Sequence, residues 1–293
     1  MNIKESACSF QCQDFWLYGI ISIPKQTITS TKGVLIIAGG PQYRAGSHRQ
    51  FTLLARHLAA KGIPVMRFDI RGMGDSEGEI RTFEKIDEDF DCAINQFFLE
   101  IPSLQEIVIW GLCDAASAAL FYAHHDKRVT GLVLLNPWVR TENSAVKTYL
   151  KHYYSNRFTD PELWKKVCSG DFNYIVAIRS LLKLIYNFLI SKNKSTPFSK
   201  NISCNQIINN STLPERMFNG FNRFKGKILL ITCGNDLTAQ EFMDLIKGSK
   251  KWQNLLESSS IKQFHLPNAN HTFSRREWRD QVYSWTYDWI NSW

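Results

Sequence analysis

A cysteine at a strand-to-helix junction is the first residue whose surroundings point to chemistry. Cys113 lies in the sequence GLCDA at 111–115, directly after the apolar run 107–110 and directly before an alanine-rich helical segment. Small residues beside a reactive side chain are typical of the tight turn that presents a nucleophile. The amino terminus of a helix stabilises an anion and therefore favours a thiolate there. A buried structural cysteine is the alternative interpretation.

Two further residues follow Cys113 in the chain order that a triad on such a turn requires, acid first and histidine second. Asp236 comes shortly after the apolar run 227–232, and His271 lies between the last apolar run and the last helical segment. His271 would deprotonate Cys113 and later protonate the leaving group, while Asp236 would fix its tautomer and stabilise the imidazolium. Taken singly, a loop Asp usually makes a turn and a loop His is usually just exposed, so the hypothesis rests on all three together.

A glycine pair after the first buried strand is a candidate oxyanion hole. The sequence AGGP at 38–41 is similar to the His-Gly-Gly-Pro loop of proline iminopeptidase relatives. The backbone N–H groups of Gly40 and Asp114 are predicted to face a developing oxyanion. Pro41 has no N–H and is excluded. A purely structural glycine turn is the other interpretation.

Charged residues behind this loop are candidates for substrate binding. Arg44, His48 and Arg49 would bind an anionic group of the substrate, and a solvated start of a helix explains them equally well. Ser76, in the turn RGMGDS at 71–76, is a rival nucleophile. No helix-opening turn surrounds it, and we therefore interpret Ser76 as structural.

Short apolar runs alternate with helical patterns along most of the chain. This alternation predicts a mainly parallel sheet with helices on both faces, and such sheets carry their sites at the carboxyl ends of strands. The pattern breaks after residue 139 and resumes at 227. With the motifs above, it predicts an α/β-hydrolase fold whose core, 1–139 and 226–293, is interrupted by a mostly helical cap at 140–225. The apolar helical face at 181–189 would belong to that cap.

Composition excludes several other classes of protein. The net charge is +8, yet no basic run exceeds two residues, which argues against nucleic acid as a partner. Seven cysteines without framework spacing favour reduced thiols in the cytoplasm. The first 13 residues lack the apolar core of a signal peptide, and the longest apolar stretches are too short to span a bilayer. We expect a soluble protein without metal or cofactor, and composition leaves its oligomeric state open.

The motifs together resemble the exosortase A system-associated hydrolase 1 family, whose members carry a cysteine nucleophile on an α/β-hydrolase fold. The segments that carry the likeness are GGPQYRAGSHRQF at 39–51, FDIRGMGDSEG at 68–78, WGLCDAASAAL at 110–120, LNPWVRTE at 135–142, LKHYY at 150–154, DLTAQEF at 236–242 and NHTFS at 270–274. The family has Asp before the histidine where this chain has Asn270. The resemblance implies a bacterial enzyme linked to exopolysaccharide production and exosortase-type sorting, and it names no substrate.

The sequence therefore predicts an esterase or thioesterase that works through an acyl-cysteine on Cys113. Its substrate would be a small molecule or a lipid- or sugar-linked acyl group. An acyltransferase, in which a sugar or polymer hydroxyl replaces water, is the nearest alternative. A non-catalytic binding protein on the same fold is another, but such a protein would be expected to lose members of the triad. A redox-sensing role of Cys113 lacks a resolving cysteine nearby in sequence.

Overall fold

A central β-sheet of eight strands organises the part of the chain that the computed structural model describes, residues 3–25, 28, 30–40, 42–139 and 211–293. The strands are β1 (Ile3–Cys12), β2 (Phe15–Pro24), β3 (Lys32–Ile37), β4 (Val65–Phe68), β5 (Glu106–Leu112), β6 (Val129–Leu135), β7 (Lys227–Asn235) and β8 (Ile261–Asn270). Their order across the sheet is β1-β2-β4-β3-β5-β6-β7-β8.

The sheet is parallel from β4 to β8, and β1 and β2 extend it as an antiparallel pair. The central strands are continuous apolar runs because helices cover both of their faces. In β3, for example, the four residues from Val34 to Ile37 are completely buried. The prediction of a mainly parallel sheet with helices on both faces is confirmed.

Seven α-helices of the described residues cover the two faces. They are α1 (Gln50–Ala60), α2 (Asp87–Glu100), α3 (Asp114–Tyr122), α4 (Leu213–Arg223), α5 (Leu237–Lys247), α6 (Lys250–Leu256) and α7 (Arg276–Ile290). One apolar core combines residues of the sheet with α1 and α7, including Phe51 and Trp289. The other combines the opposite face with α2 to α6, including Phe97 and Phe242. The sheet is therefore the middle of three layers.

Helix α4 belongs to this core rather than to the predicted cap. Thr212 and Glu215 form a reciprocal capping box that starts the helix. Gly220 lies so close to α3 that a Cβ there would stand 2.7 Å from the carbonyl oxygen of Leu120. Residues 212–293 group with 1–140 as one compact unit, so the segment 212–225 of the predicted cap is reassigned to the core. The rest of that cap, 140–210, with its apolar face at 181–189, lies outside the described residues.

Candidate active site

Four strands end at one edge of the sheet with the residues predicted to do chemistry. Gly40 follows β3, Cys113 follows β5, Asp236 follows β7 and His271 follows β8. The strands β3, β5, β6, β7 and β8 are neighbours in that order and all run parallel. Their carboxyl ends therefore meet at one edge, where open α/β sheets place their sites.

Cys113 occupies a strained backbone position between β5 and α3. Its φ is 64° and its ψ is −122°, a region that residues with a side chain avoid at a cost of about 1–3 kcal/mol. Neighbouring hydrogen bonds hold it there: its N–H donates to Leu135 O at 2.8 Å, and its own carbonyl oxygen accepts from Ala116 N at 3.1 Å. Gly111 permits the turn because a Cβ there would lie 2.7 Å from the carbonyl of Ala115. The thiol is partly exposed at the amino terminus of α3.

Asp236 and His271 are joined directly. Nδ1 of His271 lies 2.8 Å from Oδ2 of Asp236, whose side chain is almost fully buried. The other carboxylate oxygen, Oδ1, accepts from the backbone N–H of Thr238 at 3.0 Å and so caps helix α5. One carboxylate thus fixes both the helix and the imidazole ring.

The charge environment of His271 favours its protonated form. Burial by itself lowers the pKa of the ring, but hydrogen bonds with Asp236 and Cys113, together with their negative charge, outweigh it and raise the pKa to about 10. The ring therefore interacts with both of the other residues of the predicted triad. The structure brings all three together in the order Asp236, His271, Cys113.

The predicted oxyanion donors have a different partner. The N–H of Gly40 donates to Oδ2 of Asp114 at 2.7 Å, and the N–H of Ala115 donates to Oδ1 at 2.9 Å. The side chain of Asp114, for which only the backbone N–H was predicted to take part, therefore fills the space in front of Gly40. The role of the Gly40 and Asp114 N–H groups as oxyanion donors stays a prediction, and in this structure the carboxylate accepts from Gly40.

Arg44 is also engaged elsewhere. Its guanidinium pairs with Asp69 and, at 2.7 Å, with Asp75, while its backbone N–H donates to Oδ1 of Asp69 at 2.6 Å. Only 12% of its side chain is exposed. These two carboxylates neutralise the guanidinium and fasten the loop after β3 to the end of β4. They argue against a role of Arg44 in binding an anionic group of the substrate, and that role stays an untested prediction.

His48 and Arg49 lie on the turn that leads into α1. Both have left-handed backbone angles, with φ of 53° and 58°, and both side chains are exposed. The carbonyl oxygen of His48 accepts from Arg279 of α7 at 3.1 Å. Their proposed role in binding an anionic group stays a prediction.

Ser76 has the structural role that the sequence suggested. Its hydroxyl donates to the carbonyl oxygen of Asp69 at 2.6 Å and accepts from the N–H of Tyr18 at 3.0 Å. The Ser76 hydroxyl is thus hydrogen-bonded to the backbone both as a donor and as an acceptor, which is typical of a structural serine rather than of a nucleophile. Asn136 was not predicted from the sequence. It is fully buried after β6, and its side-chain oxygen accepts from the N–H of Cys233 at 2.9 Å. Asn136 thus joins the carboxyl ends of β6 and β7 beside the site. The only sequence signal for this role is its position directly after β6.

Within the described ranges, no group of three or more His, Cys, Asp or Glu side chains could hold a metal ion. The five cysteines in these ranges, Cys8, Cys12, Cys92, Cys113 and Cys233, are free thiols. In the same part of the chain, every helix is too short or too polar to cross a membrane.

Comparison with known proteins gives the fold and a distant relative. A family model described as alpha/beta hydrolase fold matches residues 33–274. Among solved structures, the esterase Pf2001 of Pyrococcus furiosus is 15% identical, with a TM-score of 0.64 over 99% of this chain and 93% of that one. Est1E of Butyrivibrio proteoclasticus, solved with ferulic acid bound, is 13% identical, with a TM-score of 0.58 over 97% and 98%. At these identities the likeness concerns the fold.

One relative in sequence is named as an acyltransferase. The acyltransferase drtE of Aspergillus calidoustus is 24% identical over 142 residues, which are 47% of this chain and 46% of that protein. The match thus spans about half the length of the relative.

Proposed function

Since the chain belongs to the α/β-hydrolase fold family, we propose that it is an enzyme that cleaves an ester or thioester through an acyl-cysteine on Cys113. The observation that carries this proposal is the hydrogen bond between His271 and Asp236 at the sheet edge that also presents Cys113, whose backbone has the strain of a nucleophile turn. A structural cysteine would have no need of that strain, and backbone strain of this kind clusters at functional sites.

The reaction has two steps. Cys113 Sγ attacks the acyl carbonyl and forms a thioester, while its proton passes by way of Nε2 of His271 to the leaving alcohol or thiol. His271 then takes a proton from water, the resulting hydroxide attacks the thioester, and the carboxylic acid leaves as Cys113 regains its proton. Asp236 holds the ring by Nδ1 and stabilises the imidazolium in both steps.

The test is turnover of p-nitrophenyl esters and acyl thioesters of graded chain length, with intact-mass detection of the adduct. Wild type is compared with Cys113→Ala and with Cys92→Ala, which removes another partly exposed thiol. We expect Cys113→Ala to lose the adduct and about 10³-fold or more of the activity, as triad nucleophiles do. Cys92→Ala should keep both. Equal activity in wild type and Cys113→Ala would refute the proposal. If the wild-type protein forms no adduct with any substrate, the alternative of a non-catalytic binding protein is favoured.

Acyl transfer is the second candidate, and the match to the acyltransferase favours it. The acyl-cysteine is common to both reactions, which differ only in whether water or a hydroxyl of a sugar or polymer attacks it. Mass spectrometry distinguishes them. If the adduct is stable in buffer and disappears only when a sugar is added, with the acyl group recovered on the sugar, the enzyme is a transferase.

The biological setting is proposed from the resemblance in sequence. A member of the exosortase A system-associated hydrolase 1 family would act in exopolysaccharide production and exosortase-type sorting, on a small-molecule or a lipid- or sugar-linked acyl substrate. The free thiols at the five described cysteines are in keeping with a cytoplasmic location. Loss of exopolysaccharide on deletion of the gene, restored by wild type and not by Cys113→Ala, would support this setting.

A further inference from the structure

The anion-binding position beside Cys113 already holds an anion. Oδ2 of Asp114 accepts from Gly40 N at 2.7 Å, and Oδ1 accepts from Ala115 N at 2.9 Å. Of the two amides that the fold would direct at an oxyanion, those of Gly40 and Asp114, the Gly40 amide is therefore directed at this side chain.

This contact is more than the capping of a helix. An acidic residue in the first turn ordinarily interacts with the amides of its own helix. Asp114 also reaches a loop that lies 74 residues earlier in the chain. The loop comes so near that a Cβ on Gly39 would stand 2.1 Å from Oδ1 of Asp114 and 2.9 Å from Cβ of Ala115. A glycine at position 39 is thus required for the carboxylate to lie where it does.

We propose that the Asp114 carboxylate is the resident occupant of the oxyanion hole and that an acyl carbonyl enters only when this carboxylate leaves. The inference rests on the proposed function, because it assigns a restraining role at the same site. A carbonyl oxygen and a carboxylate cannot accept from the same N–H of Gly40 in the same place. A negative charge left there would also oppose the charge that develops on the carbonyl oxygen. Asp114 therefore determines which electrophiles reach Cys113.

The protonation behaviour of Asp114 is compatible with this role. Burial raises the pKa of its carboxyl, while the amides of Gly40 and Ala115 and the charge of His271 act against the rise. Its amide donors thus hold the carboxylate in place although burial disfavours its charge, and it gives up two amide hydrogen bonds when it moves.

Two variants separate the charge of Asp114 from its bulk. Asp114→Ala empties the hole, whereas Asp114→Asn is neutral but keeps an oxygen that can accept from Gly40. Glu277→Ala is the matched control, because Glu277 is an exposed acidic residue in the first turn of α7. Urea unfolding of each variant establishes that it is folded before any rate is compared.

The measurement is the rate at which Cys113 is alkylated by iodoacetate and by iodoacetamide, which have the same shape and differ in charge. In each case the Sγ–C bond forms, iodide leaves and the thiol proton goes to solvent through His271. Peptide mapping after intact-mass analysis assigns the product to Cys113. We expect Asp114→Ala to raise the ratio of the iodoacetate rate to the iodoacetamide rate about tenfold, Asp114→Asn to raise it less, and Glu277→Ala to leave it unchanged.

Turnover of acyl esters by the same proteins is the second readout. Asp114→Ala should gain about tenfold or more in kcat/KM, since two aligned amide donors become available to the oxyanion. An unchanged alkylation ratio, or lower turnover in both folded variants, would overturn the inference and make Asp114 a positioning residue for the glycine loop. If the ratio of the two alkylation rates rises as expected but neither wild type nor any variant forms an acyl adduct, the Asp114 carboxylate does occupy the oxyanion hole and the proposed function fails.

Discussion

The Asp236 carboxylate has two hydrogen-bond partners, Thr238 N and His271 Nδ1, and one substitution can separate its effect on each of them. Asn is as good a helix cap as Asp, so Asp236→Asn keeps an acceptor for Thr238 N while it removes the charge beside His271. We expect the pKa of His271 to fall from about 10 towards 6.5 or below, because burial then opposes the protonated ring with less compensation. An NMR titration of the imidazole carbons measures it, and an unchanged midpoint would contradict the assigned cause.

The same raised pKa makes stability depend on pH. The folded state of wild type holds the His271 proton more tightly than the unfolded chain, whose histidine titrates near 6.5. This contribution to the free energy of unfolding is fully present below about pH 6.5 and is lost as the pH rises through about 10. Urea unfolding across this range should show a steeper decline for wild type than for Asp236→Asn. Parallel curves would mean that His271 contributes no such linkage.

At the scale of single residues, the sequence predicted the positions of the proposed triad residues but not the partners of the residues around them. Cys113, Asp236 and His271 follow strands in a fixed order, so motif and chain order place them at one edge of the sheet. The partners of Arg44 and Gly40 depend on how closely separate loops approach in three dimensions. Arg44 meets carboxylates 25 and 31 residues away, and Gly40 meets Asp114. No local pattern encodes such distances.

The junction of β5 and α3 depends on glycine at position 111. A Cβ there would lie 2.7 Å from the carbonyl carbon and oxygen of Ala115 and 2.8 Å from the nitrogen of Ala116, all of them backbone atoms that cannot rotate away. We expect Gly111→Ala to lower the free energy of unfolding by about 2 kcal/mol, as overpacking does. The turn that presents Cys113 should be displaced as well, with a fall in its alkylation rate.

Gly248→Ala is the matched control for that substitution. Gly248 ends α5 with a φ of −78°, and its nearest contact for a Cβ is Asp244 O at 3.3 Å. Its stability should change by less than about 0.5 kcal/mol in urea unfolding. If Gly111→Ala were as mild as this control, the close approach of helix and strand would not be what requires glycine.

Most of the central strands that the sequence revealed are buried on both faces. The apolar runs of β3, β5, β6 and β7 stand out because helices cover both of their faces. Strand β1 was not predicted, since Lys4, Glu5 and Ser6 interrupt its apolar residues and it lies at the edge of the sheet. It pairs with β2 through a turn at Gln13, whose φ is 56°, without the Asn-Gly or Asp-Gly signal of a tight hairpin. Strand β1 is therefore found from its pairing with β2 rather than from composition.

At the scale of the whole molecule, one buried ion pair lies against the edge hairpin of β1 and β2. Arg71, in the turn after β4, donates by Nη2 to Oδ1 of Asp89 in α2 at 2.8 Å, and both side chains are at most 1% exposed. The same nitrogen lies 3.0 Å from Sγ of Cys12 in β1. Burial, with Cys92 and Asp89 nearby, raises the pKa of Cys12 to about 12, so the thiol is neutral and the charge of Arg71 is balanced mainly by Asp89.

Removal of one partner of this pair should cost far more than removal of a surface pair. Asp89→Ala leaves the guanidinium of Arg71 buried without its main counter-charge, and we expect about 3–5 kcal/mol less stability in urea unfolding. Asp280→Ala breaks an exposed pair with Arg276, of which 58% and 85% are accessible, and should cost about 0.5 kcal/mol or less. High salt should weaken only the second effect, because screening acts on exposed charges. Similar losses in the two variants would mean that solvent reaches Arg71 and screens its charge.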